Sequence, residues 1–202
     1  MAKYEISTDE GSAQPDGEDG VLKNSLGLTL KEDIDIAETE LLEALYFGVL
    51  NDVPDELTFS DICTWHRRWL GNLYEWAGKL RSVNMSKGDF HFAAAGQLQR
   101  LCEGFESEYL QNFGSLFQMD DDSLVGYLAR SHVEFILIHP FREGNGRLSR
   151  LLLNVQLVQA GLEPMDFQLW DDHKDFYFRS IQAGVTGDYQ HIERLIRDSL
   201  PD

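Results

Sequence analysis

The fold of this chain is decided by the stretch His139-Pro-Phe-Arg-Glu-Gly-Asn-Gly-Arg-Leu-Ser-Arg150. Pro140 disfavours helical backbone at the residue before it, so the preceding helix is predicted to end at His139. Gly144 and Gly146 allow backbone conformations that other residues resist. A glycine-bearing turn that leads directly into a helix directs several backbone N–H groups to one place, at the positive end of the helix dipole. The stretch therefore predicts a helix, a tight turn that suits an anion, and a second helix.

Charged side chains surround the predicted turn. Arg147 and Arg150 fall on one face of the second helix, and their guanidinium groups suit a polyphosphate. Glu143 is placed to hold Mg²⁺, which prefers a carboxylate together with phosphate oxygens. His139 faces the same loop and can take up a proton near neutral pH. Each residue alone has an ordinary structural explanation, but the combination predicts a catalytic phosphate site.

Outward from this stretch, the chain is predicted to be mostly α, a compact helical bundle with one small β-hairpin. Apolar residues recur at helical spacing over residues 34–50, 97–110, 124–137, 147–160, 175–183 and 191–200. Ser60 is placed to cap a further helix that contains Trp65 and Trp69. Residues 81–92 differ, because their apolar positions flank the turn Ser86-Lys-Gly-Asp89 and predict two short strands.

Composition limits the partners of the chain. Its 202 residues suit one domain, and 17 Lys and Arg against 35 Asp and Glu give a net charge of −18. Such a surface repels nucleic-acid backbones and anionic membranes, so neither is predicted as a direct partner. The charge suits a basic protein partner, although solubility alone explains it as well.

The first residues differ from the remainder of the chain. Residues 1–20 are rich in Asp, Glu, Gly and Ser, which predicts a mobile acidic tail ahead of one domain over residues 21–202. No signal-peptide pattern is visible, and no apolar stretch approaches membrane-spanning length. The expected location is the cytoplasm, and export without a signal peptide stays open.

Residues 139–150 resemble the signature of the Fic family, H-x-F-x-[D/E]-G-N-G-R-x-x-R, at every fixed position. The resemblance extends over most of the chain. Residues 22–28 resemble the usual opening of the family, residues 74–83 resemble the stretch ahead of its β-hairpin flap, and residues 187–189 resemble a short motif near the domain end. The residues that fall on the flap are Lys87, Gly88, Asp89 and Phe90.

The resemblance implies a Fic-type helical bundle that acts as a protein adenylyltransferase. Such an enzyme transfers AMP from ATP to a Tyr, Ser or Thr hydroxyl of a target protein. The signature histidine is the general base in AMP-transferring members, which assigns His139 to deprotonation of that hydroxyl. Glu143 is expected to bind Mg²⁺ between the α- and β-phosphates, and Phe141 to anchor the loop in the core.

The resemblance also assigns the phosphate contacts. Gly144, Asn145 and Gly146 are expected to line the anion hole, with Asn145 at the α-phosphate. Arg147 is expected at the β-phosphate and Arg150 at the γ-phosphate. The flap is expected to hold the target segment by strand-like pairing.

Three alternatives remain. Doc relatives act as kinases and replace the second glycine of the anion hole by a bulkier residue, so Gly146 favours AMP transfer. The signature does not select the base, which leaves transfer of another nucleotide or phosphate moiety open. A non-catalytic module that binds nucleotide and a partner ranks lower, because His139, Glu143 and both arginines are present.

The resemblance also bears on how the enzyme is inhibited. Many relatives carry an inhibitory helix with the pattern [S/T]-x-x-x-E-[G/N], whose glutamate pairs with the second signature arginine. Thr39 and Glu43 match its first part, but Ala44 follows where Gly or Asn is expected. The hypothesis is therefore a toxin restrained by a small separate antitoxin protein, and internal inhibition through Thr39 and Glu43 stays the alternative.

Overall fold

Helices form most of the computed structural model, which describes residues 13–201. They are α1 (Lys31–Leu50), α2 (Phe59–Leu70), α3 (Leu98–Glu108), α4 (Asp121–Ile138), α5 (Asn145–Gln159), α6 (Gln168–Asp172), α7 (Lys174–Gly184) and α8 (Gln190–Ser199). The strands β1 (Ser86–Lys87) and β2 (Phe90–His91) form one antiparallel pair, and 3₁₀ turns cover Ala95–Gln97 and Leu110–Gln118. The predicted mostly helical fold with one hairpin is confirmed.

Helix α4 lies at the centre of the bundle and contacts α3, α5, α7 and α8. Its side chains are buried on almost every face, including Leu128, Val133 and Phe135 without exposed surface. A helix that is apolar on most faces is stable only when neighbours cover it. The loop that joins α4 to α5 therefore starts from a fixed support.

The turn after α4 follows the prediction made from Pro140. Helix α4 ends at Ile138, and His139 has left-handed backbone angles, φ 50° and ψ 60°. Gly144 then precedes α5 with φ 82°. Two residues with positive φ thus reverse the chain within a short loop.

The predicted cap of α2 was wrong. Thr58, not Ser60, caps the helix, and its side chain accepts a hydrogen bond from the Asp61 N–H. The Asp61 carboxylate in turn accepts from the Thr58 N–H at 2.9 Å. This reciprocal capping box requires an acidic residue three positions after the cap, and Asp61 stands at that distance from Thr58.

The predicted hairpin is confirmed and is shorter than expected. Ser86 pairs with His91, and Lys87 pairs with Phe90, so Gly88 and Asp89 form the turn. Gly88 has φ 58°, which suits a residue without a side chain. The apolar positions Val83, Met85 and Phe92 form, with Phe90, a small cluster separate from the main core.

The predicted acidic tail falls mostly outside the described part of the chain, which begins at residue 13. Ala13 forms a bridge with Leu22, and the Glu18 carboxylate accepts a hydrogen bond from the Lys31 N–H at 2.8 Å. The tail and the domain boundary stay predictions. Among the helices within residues 13–201, none is both long and apolar enough to cross a membrane.

Candidate active site

The loop between α4 and α5 is closed by the side chain of Asn145. Its Oδ1 accepts from the Phe141 N–H at 2.8 Å, and its Nδ2 donates to the Phe141 carbonyl at 2.7 Å. Asn145 has no exposed surface. The side-chain amide therefore holds the loop in shape, and its assignment to the α-phosphate stays a prediction.

Backbone N–H groups at the start of α5 form the candidate anion site. Gly144 occupies the cap position, where it has no side chain to satisfy the first N–H groups of the helix. The following residues Asn145 and Gly146 lie in the first turn, at the positive end of the helix dipole. The predicted anion hole thus coincides with the beginning of a fifteen-residue helix.

Phe141, the predicted loop anchor, lies in the core without exposed surface. Its ring stacks on the imidazole of His66, with centroids 4.0 Å apart and planes inclined by 8°. Phe59 and Phe135 lie on other sides of the same ring. Aromatic packing of this kind restricts the position of the whole loop.

His66 is a supporting residue outside the predicted site. The Gly78 N–H donates to its Nδ1 at 2.8 Å, so its hydrogen is assigned to Nε2, which lies 3.1 Å from the Glu143 carbonyl oxygen. Burial lowers the pKa of His66 to about 4, despite the opposing effect of the Glu143 carbonyl. A neutral imidazole thus fixes the backbone of Glu143.

Acidification is therefore expected to destabilise the protein partly through His66. Between about pH 6.5, the ordinary histidine pKa, and the folded value of about 4, the unfolded chain binds a proton that the folded chain excludes. The free energy of unfolding therefore decreases as the pH is lowered across this window, by up to about 3 kcal/mol for this residue. Urea unfolding of wild type and His66→Gln at several pH values measures the difference, and an equal pH dependence in both would contradict the assignment.

His139 has the geometry of a proton acceptor. It is only 3% exposed, and its Nδ1 lies 3.2 Å from the Ile136 carbonyl oxygen. In the neutral imidazole this contact assigns the hydrogen to Nδ1, so Nε2 is the nitrogen that accepts a proton. The ring of Phe92 stacks on the imidazole with centroids 3.7 Å apart, which orients it.

Glu143 and Arg147 form an ion-paired cluster at the same loop. One carboxylate oxygen of Glu143 accepts from the Gly144 N–H at 2.9 Å and lies 3.5 Å from Nη2 of Arg147. The Arg147 guanidinium also lies 4.5 Å from the centre of a Trp69 ring. The cluster thus places one carboxylate and one cation beside the first turn of α5.

Glu38 of α1 is a second acidic partner of Arg147, absent from the predicted site. Its carboxylate lies 2.6 Å from Nη1 of Arg147 and accepts from the Tyr74 hydroxyl at 2.8 Å. Trp69 Nε1 donates to the Glu38 carbonyl at 2.8 Å. On the sequence, Glu38 is one of many acids along α1, and no local signal distinguishes it.

Arg150 is held by Asp171 of α6. Both of its terminal nitrogens donate to the Asp171 carboxylate, at 2.9 and 3.0 Å, in the bidentate geometry typical of this pair. These hydrogen bonds hold the pKa of Asp171 below its ordinary value.

Thr39 and Glu43, the candidate internal inhibitor, are exposed on α1. The Thr39 hydroxyl donates to the Asp35 carbonyl.

The flap lies beside His139. Besides Phe92 on the imidazole, Lys87 places its ammonium group 4.4 Å from the centre of the Phe178 ring, and Phe90 meets the same ring edge-on at 6.1 Å. Gly88 and Asp89 are exposed at the tip. Phe92 thus joins the flap to the candidate base, whereas Lys87 and Phe90 lie against Phe178 of α7.

The donors at this loop fit Mg²⁺ of the kind that accompanies a nucleotide. Within residues 13–201, no cluster of three or more His, Cys, Asp or Glu side chains is arranged to hold a metal ion by itself. Glu143 nevertheless provides one carboxylate next to the N–H groups of α5. Mg²⁺ commonly takes one or two carboxylates and completes its shell with phosphate oxygens and water.

Comparison with known sequences gives a family match. The model of the Fic/DOC family matches residues 56–157. The chain is 35% identical to a protein adenylyltransferase Fic of Aedes aegypti over 71% of this chain and 28% of that protein. It is 29% identical to the Nematostella vectensis protein of the same name, over 76% and 35%. The chain thus spans about a third or less of the length of these relatives.

Solved structures share the fold. The N-terminal Fic domain of the effector Bep8 from Bartonella sp. 1-1C superposes with a TM-score of 0.78 at 19% identity, covering 90% of this chain and 91% of that one. BepC from Bartonella tribocorum, solved with bound AMPPNP, superposes with a TM-score of 0.74 at 19% identity, covering 94% and 97%.

Proposed function

The chain belongs to the Fic/DOC family, and we propose that it transfers AMP from ATP to a Tyr, Ser or Thr hydroxyl of another protein. The observation that carries the proposal is the position of His139, whose loop leads directly into the N–H groups at the start of α5. A proton acceptor and an anion site thus belong to one rigid turn. The name of the Aedes aegypti relative supports the same activity.

In the proposed reaction, the target hydroxyl oxygen forms a bond to the α-phosphorus of ATP. The bond from that phosphorus to the bridging oxygen of the β-phosphate breaks, and pyrophosphate leaves. The Nε2 atom of His139 takes the hydroxyl proton. Backbone N–H groups of Asn145 and Gly146 stabilise the charge that develops on the α-phosphate, because they are oriented before the reaction begins.

Charged side chains position the remaining phosphates. Arg147 would bind the β-phosphate and Arg150 the γ-phosphate, and their present acidic partners Glu38 and Asp171 hold each guanidinium in place. Glu143 would hold Mg²⁺, which neutralises phosphate charge when it is bound. The flap residues Lys87 to Phe90 would pair with the target segment.

Phosphate transfer in the manner of a kinase is the second candidate, and Gly146 bears on it. A Cβ built at Gly146 meets no atom within 4 Å, so the wild-type glycine leaves open space beside the first turn of α5. An unobstructed first turn suits a phosphate that lies directly on the N–H groups. This favours AMP transfer over the Doc-type reaction, in which a bulkier residue fills the position.

We propose that a separate antitoxin protein inhibits the enzyme. The proposed location is the cytoplasm, where ATP and Mg²⁺ are plentiful. Arg150 is bonded to Asp171, and Glu43 lies exposed on α1. This arrangement supports a hypothesis in which the inhibitory glutamate comes from another chain. The internal alternative through Thr39 and Glu43 predicts that Glu43→Gly activates the purified protein.

Label transfer tests the proposed function. The purified protein is incubated with Mg²⁺, cell lysate and ATP that carries the label at either the α- or the γ-phosphate. AMP transfer predicts labelled protein from the α position alone. Label from the γ position alone would replace the proposal by the kinase reaction. If wild type gives no label and Glu43→Gly gives label, the inhibitor is internal. If neither gives label with any nucleotide, either the lysate lacks the target or the protein is a binding module.

A further inference from the structure

Arg81 is a buried side chain between the flap and the catalytic loop. It is 3% exposed, although arginine is almost never fully buried without partners. Its Nε donates to the His139 carbonyl at 2.7 Å, and its Nη2 donates to the Ile138 carbonyl at 3.2 Å. Its terminal nitrogens also donate to the carbonyls of Val83 and Ala93.

These four acceptors belong to two different elements. Ile138 and His139 lie at the end of α4 and the start of the catalytic loop. Val83 precedes β1 and Ala93 follows β2, so they mark the two ends of the flap. A guanidinium presents five N–H groups in a rigid fork, which lets one side chain bridge carbonyls in several directions.

The backbone of His139 has an unfavourable conformation that hydrogen bonds from Arg81 can stabilise. A left-handed conformation at a residue with a side chain is unfavourable and persists only where surrounding contacts hold it. The Arg81 side chain binds the carbonyl of His139, and the Arg81 N–H donates to the carbonyl of Pro140 at 2.9 Å. Arg81 therefore restrains the carbonyls of two successive residues, His139 and Pro140.

The flap also contacts the His139 imidazole directly. The Phe92 ring lies on the His139 ring, and the Ala93 N–H donates to the Leu137 carbonyl at 3.1 Å. Moving the base of the flap would therefore shift Phe92 and break hydrogen bonds to Arg81. Besides these direct contacts, the Arg81 guanidinium connects the end of the flap to the His139 carbonyl.

We propose that Arg81 is a positioning residue that holds the flap and His139 in one fixed relation. It acts through the His139 backbone and the flap and touches neither nucleotide nor target. This inference rests on the proposed function, in which the flap aligns the target hydroxyl with His139. A base and a docking strand that move as one unit keep the hydroxyl within reach of Nε2.

Arg81→Lys tests this role, because lysine keeps the charge but replaces the fork by a single ammonium group. The matched control is Arg100→Lys at an exposed position of α3. We expect Arg81→Lys to lower kcat, measured as label transfer from saturating α-labelled ATP to lysate protein, by about 10- to 100-fold, with KM for ATP within about threefold of wild type. The control should keep both values. Equal kcat in Arg81→Lys and the control, or a loss confined to KM for ATP, would overturn the proposal.

Hydrogen exchange of the wild-type protein provides a readout that requires neither activity nor a variant. The amides of Phe92 and Ala93 on the flap and of His139 on the loop are all hydrogen-bonded. If Arg81 joins the two elements, these amides open together and exchange with similar protection. Flap amides that exchange more than about 100-fold faster than the His139 amide would refute the connection. This refutation stands even if wild type transfers no AMP or Arg81→Lys does not fold.

Discussion

Replacing His139 by alanine is expected to lower the rate of AMP transfer by about 10²- to 10⁴-fold, the contribution typical of a general base. In the proposed reaction the imidazole is the proton acceptor, and the Ile136 carbonyl and the Phe92 ring orient it. The N–H groups of α5 and both arginines remain in the variant, so ATP affinity should change little. Initial rates from α-labelled ATP and calorimetric titration with ATP measure the two quantities.

Two further variants separate loss of the base from damage to the loop. His139→Asn removes the base but keeps a residue that tolerates left-handed backbone, and it should be as inactive as His139→Ala. His173→Ala removes an exposed histidine next to α7 and should transfer at the wild-type rate. Substantial activity in His139→Asn would mean that the loop conformation, and not proton transfer, explains the loss in the alanine variant.

Gly144→Ala is expected to destabilise the protein by about 2–5 kcal/mol, through left-handed backbone strain and overpacking together. Gly144 has φ 82°, and a Cβ placed there would lie 2.6 Å from one ring carbon of Trp69 and 2.9 Å from another. Trp69 is fully buried, so its ring has little room to move. Thermal unfolding should show Tm lowered by roughly 5–20 °C for a chain of this size.

Gly146→Ala is the matched control for this loop. A Cβ at Gly146 meets nothing within 4 Å, and the residue lies in the first turn of α5 with ordinary helical backbone. This variant should be more stable than wild type, by no more than about 1 kcal/mol. Equal Tm values for the two variants would show that the Trp69 contact does not restrict the loop.

The sequence predicts a shared role for Gly144 and Gly146 but not the difference in their packing. The motif predicts that both belong to one anion site, and local rules explain why each permits the turn. Only the packed structure shows that Gly144 faces a tryptophan from α2 while Gly146 faces open space. The same substitution therefore has opposite expected effects at two positions that the sequence treats alike.

Local signals were sufficient for the end of α4 and for the hairpin. Pro140 ended α4 where predicted, and the polar turn of residues 86–89 formed a hairpin, because both depend on interactions between residues close in the chain. The α2 cap was missed by two positions because Ser60 and Thr58 are equally good caps in isolation. The reciprocal bond to Asp61 decided between them.

By itself, the sequence determined the helical class, the hairpin and the chemical inventory of residues 139–150, since each follows from neighbours along the chain. Only the tertiary structure decided the partners: Glu38 for Arg147, Asp171 for Arg150, His66 for Glu143 and Arg81 for His139. The last two pairs are 77 and 58 positions apart in the chain. No local rule pairs such residues, because their contact exists only after α1, α2 and the flap have packed around the loop and excluded water from it.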